Sequence, residues 1–224
     1  MPRTRLDPTA RLRILDAADR LFARHGFRRM TVEAIATEAE IGKGSVYLHF
    51  ASKDEVALSC IDRMVEQLIE RLHALAARRG SALARLGAML RLRVLHRFDY
   101  ARTHSRSIDD LLAAIRPALL ARRAGYFRRE AEALAGVLAD GHRRGEVREH
   151  GRETAQALVT ATNSMLPYSL SVHELGRRAA IARRAGAVAD LLVAGLAAPS
   201  RLSPTRPRAR VRARASVQDP RRIA

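Results

Sequence analysis

The sequence predicts an all-α fold, and three features carry that prediction. Alanine, leucine and arginine, all strong helix formers, dominate the chain. Runs of β-branched residues with strand-like alternation are absent. Apolar residues instead recur every three or four positions through most of the 224 residues. With 47% hydrophobic content, a chain of this length can bury a substantial core, as one large domain or as a small and a medium one. No repeat of solenoid period is present.

A first helix is expected from about Thr9 to Arg24, started by Pro8 and Thr9, with Leu12, Leu15, Ala18, Leu21 and Phe22 on one face. Gly26 suits a left-handed C-terminal position, and Phe27 and Met30 return to the core. Thr31 is a good N-cap for a short helix carrying Val32, Ile35, Ala36 and Ala39, with Glu33 near its positive end. A tight turn at Glu40-Ile41-Gly42 leads to a second short helix from about Lys43 to His49. Ser52-Lys53-Asp54-Glu55 has capping-box spacing and should open a long helix to about Arg78, with Val56, Ile61, Met64, Val65, Leu68 and Leu72 inward. Ser81, after Gly80, caps a helix to about Arg97. Further helices are expected over about 105–114, 117–144, 152–172 and 175–196, with a turn at Gly145-Glu146-Val147 before the last two. Pro167 should kink the penultimate one.

The helical pattern ends at Pro199. Residues 199–224 hold eight arginines, four prolines and one acid, which reads as a disordered basic tail. Such a tail is either a solvated segment of biased composition or an added source of sequence-independent attraction to phosphate. Residues 1–8 read as a flexible N-terminal arm.

A net charge of +18 points to a polyanionic partner, and charge alone does not separate nucleic acid from an anionic membrane surface. The longest apolar run, Leu191 to Ala198, is too short to span a bilayer. The N-terminus lacks the apolar centre of a signal peptide. The single cysteine, Cys60, excludes an intrachain disulfide and suits a reducing compartment. The expectation is a soluble cytoplasmic protein with no membrane partner. Arginine outnumbers lysine 39 to two, and both lysines fall between Ile41 and Glu55. The skew fits a GC-rich genome, and the surviving lysines mark places where a compact ammonium on a flexible stem is needed.

Enzyme readings find little support. Cys60 and the eight histidines carry no nucleophile signature. Glu70 and His73 have the spacing of a carboxylate-bridged metal site, but the second copy that such a site needs is missing. Neither a Gly-rich phosphate loop nor a Cys/His zinc pattern occurs. No enzyme activity, cofactor or metal is therefore expected; a helical metal protein or enzyme stays as the remoter alternative.

A helix-turn-helix that reads DNA needs an anchored first helix, a tight turn, and a second helix with an exposed face for the major groove. Residues Thr31 to Phe50 supply each part. Ile35 and Ala36 face the core, Ile41 plugs the turn, and Val46 buries the inner face of the second helix. Lys43, Gly44, Ser45, Tyr47, Leu48 and His49 are left outside. Lysine, serine, tyrosine and histidine can donate to phosphate oxygens; Gly44 admits close backbone approach, and Leu48 can meet a thymine methyl. The plainer reading is a helical hairpin with a polar outer face.

The surrounding pattern favours the first reading. Residues 12–55 resemble the N-terminal domain of TetR-family transcriptional regulators. The matches run in order and without gaps: Ile14 to Ala18, Leu21-Phe22, His25-Gly26-Phe27, Thr31-Val32, Ile35-Ala36, Ala39, Ile41, Lys43 to Tyr47, His49-Phe50 and Ser52 to Glu55. They cover about the first fifth of the chain. The resemblance implies a three-helix DNA-binding domain over 9–55 and a larger helical domain for ligand binding and dimerisation over 56–198, about nine helices in all. It implies phosphate contacts at Thr31, Tyr47, His49 and Lys53, with Lys43, Gly44, Ser45 and Leu48 at the groove. Glu40 departs from a frequent glycine in the turn, and Gly42 from a frequent capping serine or threonine, which predicts a strained turn and a weaker cap.

The function so implied is a ligand-responsive regulator, a repressor that binds a palindromic operator in double-stranded DNA as a homodimer and is released by a small-molecule effector. A protein that coats DNA regardless of sequence, using the basic tail, is the alternative. Leu158, Ala161, Met165, Leu191, Leu192 and Gly195 are candidates for a dimer interface built from the last two helices, or else serve the monomer core. His96, Tyr100, Tyr126, Asn163 and Tyr168 are polar residues within apolar helices and candidates for an effector pocket, or else are ordinary satisfied or surface groups. A mainly apolar pocket with few polar anchors favours a lipophilic ligand.

Overall fold

The computed structural model describes residues 7–104, 108–148, 151–166 and 176–199. Most of the N-terminal arm, the tail from residue 200 onward, and Pro167 and Tyr168 lie outside the described residues. Among the described residues every regular element is a helix, and there are eight: α1 (Pro8–His25), α2 (Val32–Glu38), α3 (Lys43–His49), α4 (Lys53–Ala76), α5 (Ala82–Thr103), α6 (Ile108–Arg143), α7 (Arg152–Asn163) and α8 (Arg178–Leu196).

Local signals set most of the helix starts. Asp7, rather than Thr9, is the N-cap of α1, and its side chain accepts from the Thr9 amide with Pro8 in the first turn. Thr31 caps α2 by accepting from the Ala34 amide at 3.1 Å. Ser52 caps α4 by accepting from the Glu55 amide at 3.2 Å. The Glu55 carboxylate accepts from Arg122 of α6, so the second half of the expected capping box serves a tertiary contact. Ser81 precedes α5 as expected, but the acceptor is remote: Glu146 Oε2 takes the Ala82 amide at 2.6 Å and the Ser81 hydroxyl at 2.8 Å.

Two expectations are corrected. The break expected between residues 114 and 117 does not occur, and α6 runs continuously through Pro117. Proline removes the bond to the carbonyl four residues earlier, and Pro117 and Ala113 are both exposed, so water can satisfy that carbonyl. Helix α7 ends at Asn163, well before the expected residue 172.

The core is continuous from α1–α3 through α4 into α5, α6 and α7, with a smaller cluster of Val94, Phe98, Met165, Leu166, Ile181 and Ala185 under α8. Helix α4 joins the two ends: Val56 and Cys60 are buried near its start, Leu68 and Leu72 near its end. The division expected at residues 55 and 56 falls inside this helix. At the far end, α6 closes on α5 so tightly that a Cβ on Gly141 would lie 2.6 Å from both Ala82 Cβ and Val147 Cγ2. The turn after α6 then pairs with the end of α8, with Arg148 N donating to Leu196 O at 2.9 Å and Ala198 N to Glu146 O at 2.9 Å.

A fully buried ionic cluster ties α5, α6 and α7 together. Arg93 and Arg97 of α5 flank Glu130 of α6, with Arg93 Nε 2.7 Å from Oε2 and Arg97 Nη2 2.5 Å from Oε1. Arg93 also donates to Val159 O at 3.0 Å, to the Thr162 hydroxyl, and to Asn163 Oδ1 at 2.9 Å, all on α7. Burial pushes the Glu130 carboxyl up, but the two guanidiniums outweigh it and hold it below its ordinary value of 4.5.

Glu130→Gln should therefore destabilise the protein by about 3–5 kcal/mol, because it strands two buried cations; chemical denaturation measures this. The wild-type contribution of Glu130 is complete above its unfolded value and is lost as pH falls below about 4.5 toward the depressed folded value, so the wild-type–variant gap should narrow in acid. Gly141→Ala should cost about 1–3 kcal/mol by overpacking, read as a lowered melting temperature.

Candidate nucleic-acid interface and internal cavity

The turn between α2 and α3 is built as the spacing suggests. Ile41 donates its amide to Ala36 O at 3.0 Å, and its side chain is half-buried against the core. Glu40 has φ of 54°, the one non-glycine in the left-handed region among the described residues. That confirms the strain expected there, since a Cβ in this conformation costs about 1–2 kcal/mol. Gly42 is the N-cap of α3 and supplies no side-chain bond, as expected. Arg13 of α1, unnoticed in the sequence, closes the turn by donating to Ala39 O at 2.5 Å and Glu40 O at 3.1 Å. Arg20 and Arg24 hold Glu38, so three α1 arginines are spent on α2 and its turn.

Only Val46 of α3 is buried. Lys43, Gly44, Tyr47 and Leu48 are exposed, with Tyr47 and Leu48 at 50% and 59%, while Ser45 and His49 are half-buried. Open space lies beyond the Gly44 backbone. An exposed leucine beside an exposed tyrosine on one short helix is a surface with no use for the isolated fold. Lys43 pairs with Glu33 of α2; the hydrogen bond from Lys43 lowers the Glu33 carboxyl, and the same bond raises the lysine. Lys53 starts α4 with its ammonium over the Phe27 ring, 4.4 Å from the centroid, and 3.4 Å from Phe27 O. Thr31 is exposed, and its oxygen is engaged as the α2 cap.

A second feature is a cavity of about 70 Å³ lined by α4, α5 and α6 and partly open to solvent. Ile61, Met64 and Val65 contribute from α4; Arg97, Tyr100 and Ala101 from α5; Leu111, Leu112, Leu119, Arg123, Tyr126 and Phe127 from α6. Of the four expected pocket residues among the described ones, only Tyr100 and Tyr126 line it. Both hydroxyls donate to carboxylates, Tyr100 to Asp19 at 3.1 Å and Tyr126 to Asp62. Burial first, and the neighbouring carboxylate second, push both phenols well above their ordinary value. His96 lies elsewhere, between Arg71 and Met64 O, its imidazole lowered by burial. Asn163 belongs to the Arg93 cluster, and Tyr168 is outside the described residues. Helices α4 and α6 are further tied by Arg122, which reaches Glu55 at 2.9 Å and Asp62 at 2.5 Å.

The expected interface residues separate by exposure. Leu158 and Met165 are buried within the chain and are corrected to core positions. Ala161, Leu191 and Gly195 face outward, Leu191 at 75%, and Leu192 is half-buried. Cys60 is buried and burial raises its thiol, which removes the reactivity of a thiolate. Glu70 and His73 are exposed, and among the described residues no group of three or more histidine, cysteine or acidic residues could hold a metal ion. No described helix is long and apolar enough to cross a membrane.

Comparison with known proteins bears on both features. Residues 14–60 match the family model for bacterial regulatory proteins of the tetR family. A fatty acid metabolism regulator protein from Bacillus subtilis is 26% identical over 144 residues, which is 62% of this chain and 71% of the relative. Across curated relatives, the matched stretch spans from 17% to 71% of their own length. A transcriptional regulator from Cytophaga hutchinsonii superposes with a TM-score of 0.71 at 22% identity, covering 85% of this chain and 100% of that one. The transcriptional regulator FadR of B. subtilis, solved in complex with stearoyl-CoA, superposes with a TM-score of 0.56 at 21% identity, covering 83% and 98%. At these identities the structural likeness is one of fold.

The strained turn gives a direct test. Glu40→Gly should raise stability by about 0.5–1 kcal/mol, the relief of left-handed strain less the added chain entropy of glycine, measured by denaturant titration. Thr31→Ala should lower it by about 1 kcal/mol through loss of the α2 cap.

Proposed function

We propose that this chain, a member of the TetR family of bacterial regulatory proteins through its residues 14–60, represses transcription by binding an operator as a homodimer and releasing it when a small molecule binds. The observation that carries this reading is the outer face of α3. Lys43, Gly44, Tyr47 and Leu48 stand exposed on a helix whose inner face is held by Val46, beside a strained but well-braced turn. Lys43, Gly44, Ser45 and Leu48 would meet the groove. Thr31, Tyr47, His49 and Lys53 would take phosphates.

On DNA, Lys43 would leave its Glu33 partner for an acceptor in the groove. Glu33 thus acts as an internal competitor that lowers nonspecific affinity. A second copy would dock on the outer faces of α7 and α8, where Leu191, Gly195 and Ala161 present apolar and small surface. Two reading heads then meet two half-sites.

The cavity between α4, α5 and α6 is the effector site in this reading. Its walls are almost wholly apolar, which suits a lipophilic molecule, and a relative of the same fold is known with stearoyl-CoA. At about 70 Å³ it is smaller than the roughly 300 Å³ or more that ligand sites usually offer. An occupant must therefore push a wall outward. Helix α6 supplies half the wall and grips the head through Arg122 on Glu55 and Asp110 on Arg28. Its displacement would turn the heads and lower operator affinity, to the extent that the ligand prefers the displaced state.

Selection of bound fragments from genomic DNA tests the reading: the protein should enrich one palindromic sequence, and purely salt-driven binding without preference would support the coating alternative instead. Removing residues 200–224 should leave that preference intact. Lys43→Ala with Lys53→Ala should weaken operator binding and reduce the salt slope by about two, one Lys53 phosphate contact from each of the two protomers. Leu191→Arg should give a monomer by sedimentation, with loss of operator binding.

A further inference from the structure

Asp19 sits half-buried on α1, and its carboxylate gathers groups from two other helices. Arg63 of α4 donates to Oδ2 and reaches Asp16 with its other nitrogen at 2.5 Å. Tyr100 of α5 donates its hydroxyl to Oδ1 at 3.1 Å. His104 braces the tyrosine: its Nδ1 lies 2.7 Å from Tyr100 O, its ring 4.2 Å from the Tyr100 ring, and its edge meets Phe22 of α1 at 5.6 Å. The His104 Nε2 stays 3.6 Å from Asp19, outside hydrogen-bond reach. Tyr100 meanwhile lines the cavity with its neighbours Arg97 and Ala101. One side chain therefore belongs to the cavity wall and holds α1.

A phenol has a single O–H to give. An occupant that accepts this proton takes it from Asp19, and the two bonds exclude one another. Asp19 keeps Arg63 in either case, so the exchange strands no buried charge. Those are the requirements of a two-state element that both sites can bias.

We propose that Tyr100 is the positioning residue that links the cavity to the reading head: with the cavity empty its hydroxyl pins Asp19 and fixes α1, and an occupant bearing a hydrogen-bond acceptor withdraws it and loosens α1. The proposal rests on the operator-binding reading given above. Tyr126 is the internal control, since it lines the same cavity and its hydroxyl donates to Asp62 on α4 rather than to α1.

The test uses the full chain carrying Tyr100→Phe, Tyr126→Phe or Asp19→Asn, read by amide hydrogen exchange of α1 and by affinity for the selected operator and for an unrelated duplex. Tyr100→Phe should speed α1 exchange and weaken operator binding by about fivefold or more each, with the unrelated duplex unaffected. Tyr126→Phe should change α1 exchange by less than about twofold, and Tyr100→Phe should add less than that to Asp19→Asn. Wild-type behaviour of Tyr100→Phe in either readout, or equal behaviour of the two tyrosine variants, overturns the proposal. If the wild type itself selects no operator, the regulator reading fails, while the exchange comparison still decides whether Tyr100 holds α1.

Discussion

The C-terminal half of this molecule depends on one buried charge cluster. Arg93, Arg97 and Glu130 carry two positive charges and one negative in a space closed to solvent. Such a group is tolerable only when each N–H finds an acceptor, and the acceptors come from α6 and from the α7 carbonyl, hydroxyl and amide groups. The spacing of α5, α6 and α7 is therefore set by hydrogen-bond length, more narrowly than apolar packing would set it. Two of those helices are cavity walls, and Arg97 belongs to both the cluster and the cavity. The cavity inherits its shape from the ions behind it.

Arginine serves several separate purposes in this chain, which explains how so skewed a composition yields an ordered fold. Arg13 caps a turn, Arg63 and Arg122 tie helices across the junction with the head, and Arg93 builds the core. The planar fork suits each of these, since each involves two acceptors at once. The two lysines stand where one rotatable point charge is wanted. Lys53 lies over an aromatic ring, and Lys43 pairs with the exposed Glu33. Their isolation in the sequence coincides with the exposed face of α3 and the start of α4.

The proposed coupling between cavity and head draws on a shared construction. Helix α4 runs through both halves, and four carboxylates anchor polar ties near the junction: Asp19, Asp62, Glu55 and Asp110. Two of the four are reached by phenols whose rings line the cavity. A charged acceptor bound by a neutral donor and a guanidinium can lose the first and keep the second. Rearrangement there is cheap compared with disruption of the Arg93 cluster.

Much of the head was legible in the sequence alone. The caps at Thr31 and Ser52, the plug at Ile41, the strain at Glu40 and the outward face of α3 all follow from spacings within one or two turns, where backbone geometry leaves little choice. The order of the first five helices followed from the same periodicity, whereas the two helices expected over 105–114 and 117–144 are one. Tertiary structure decided what periodicity leaves ambiguous. Pro117 continues a helix because the carbonyl it orphans faces water, and Leu158 differs from Leu191 only in which neighbours arrive. The arginine cluster left one trace, since Arg93 and Arg97 continue the buried stripe of Leu86 and Leu90 on α5, but charge at such a position reads equally as a solvated edge. Tyr100 and Asp19 stand 81 residues apart, and no local rule pairs them. Sequence determined the first helices and the outward face of α3 because those rest on local geometry; the cavity, its ionic backing and the contact of Tyr100 with Asp19 exist only once distant helices meet.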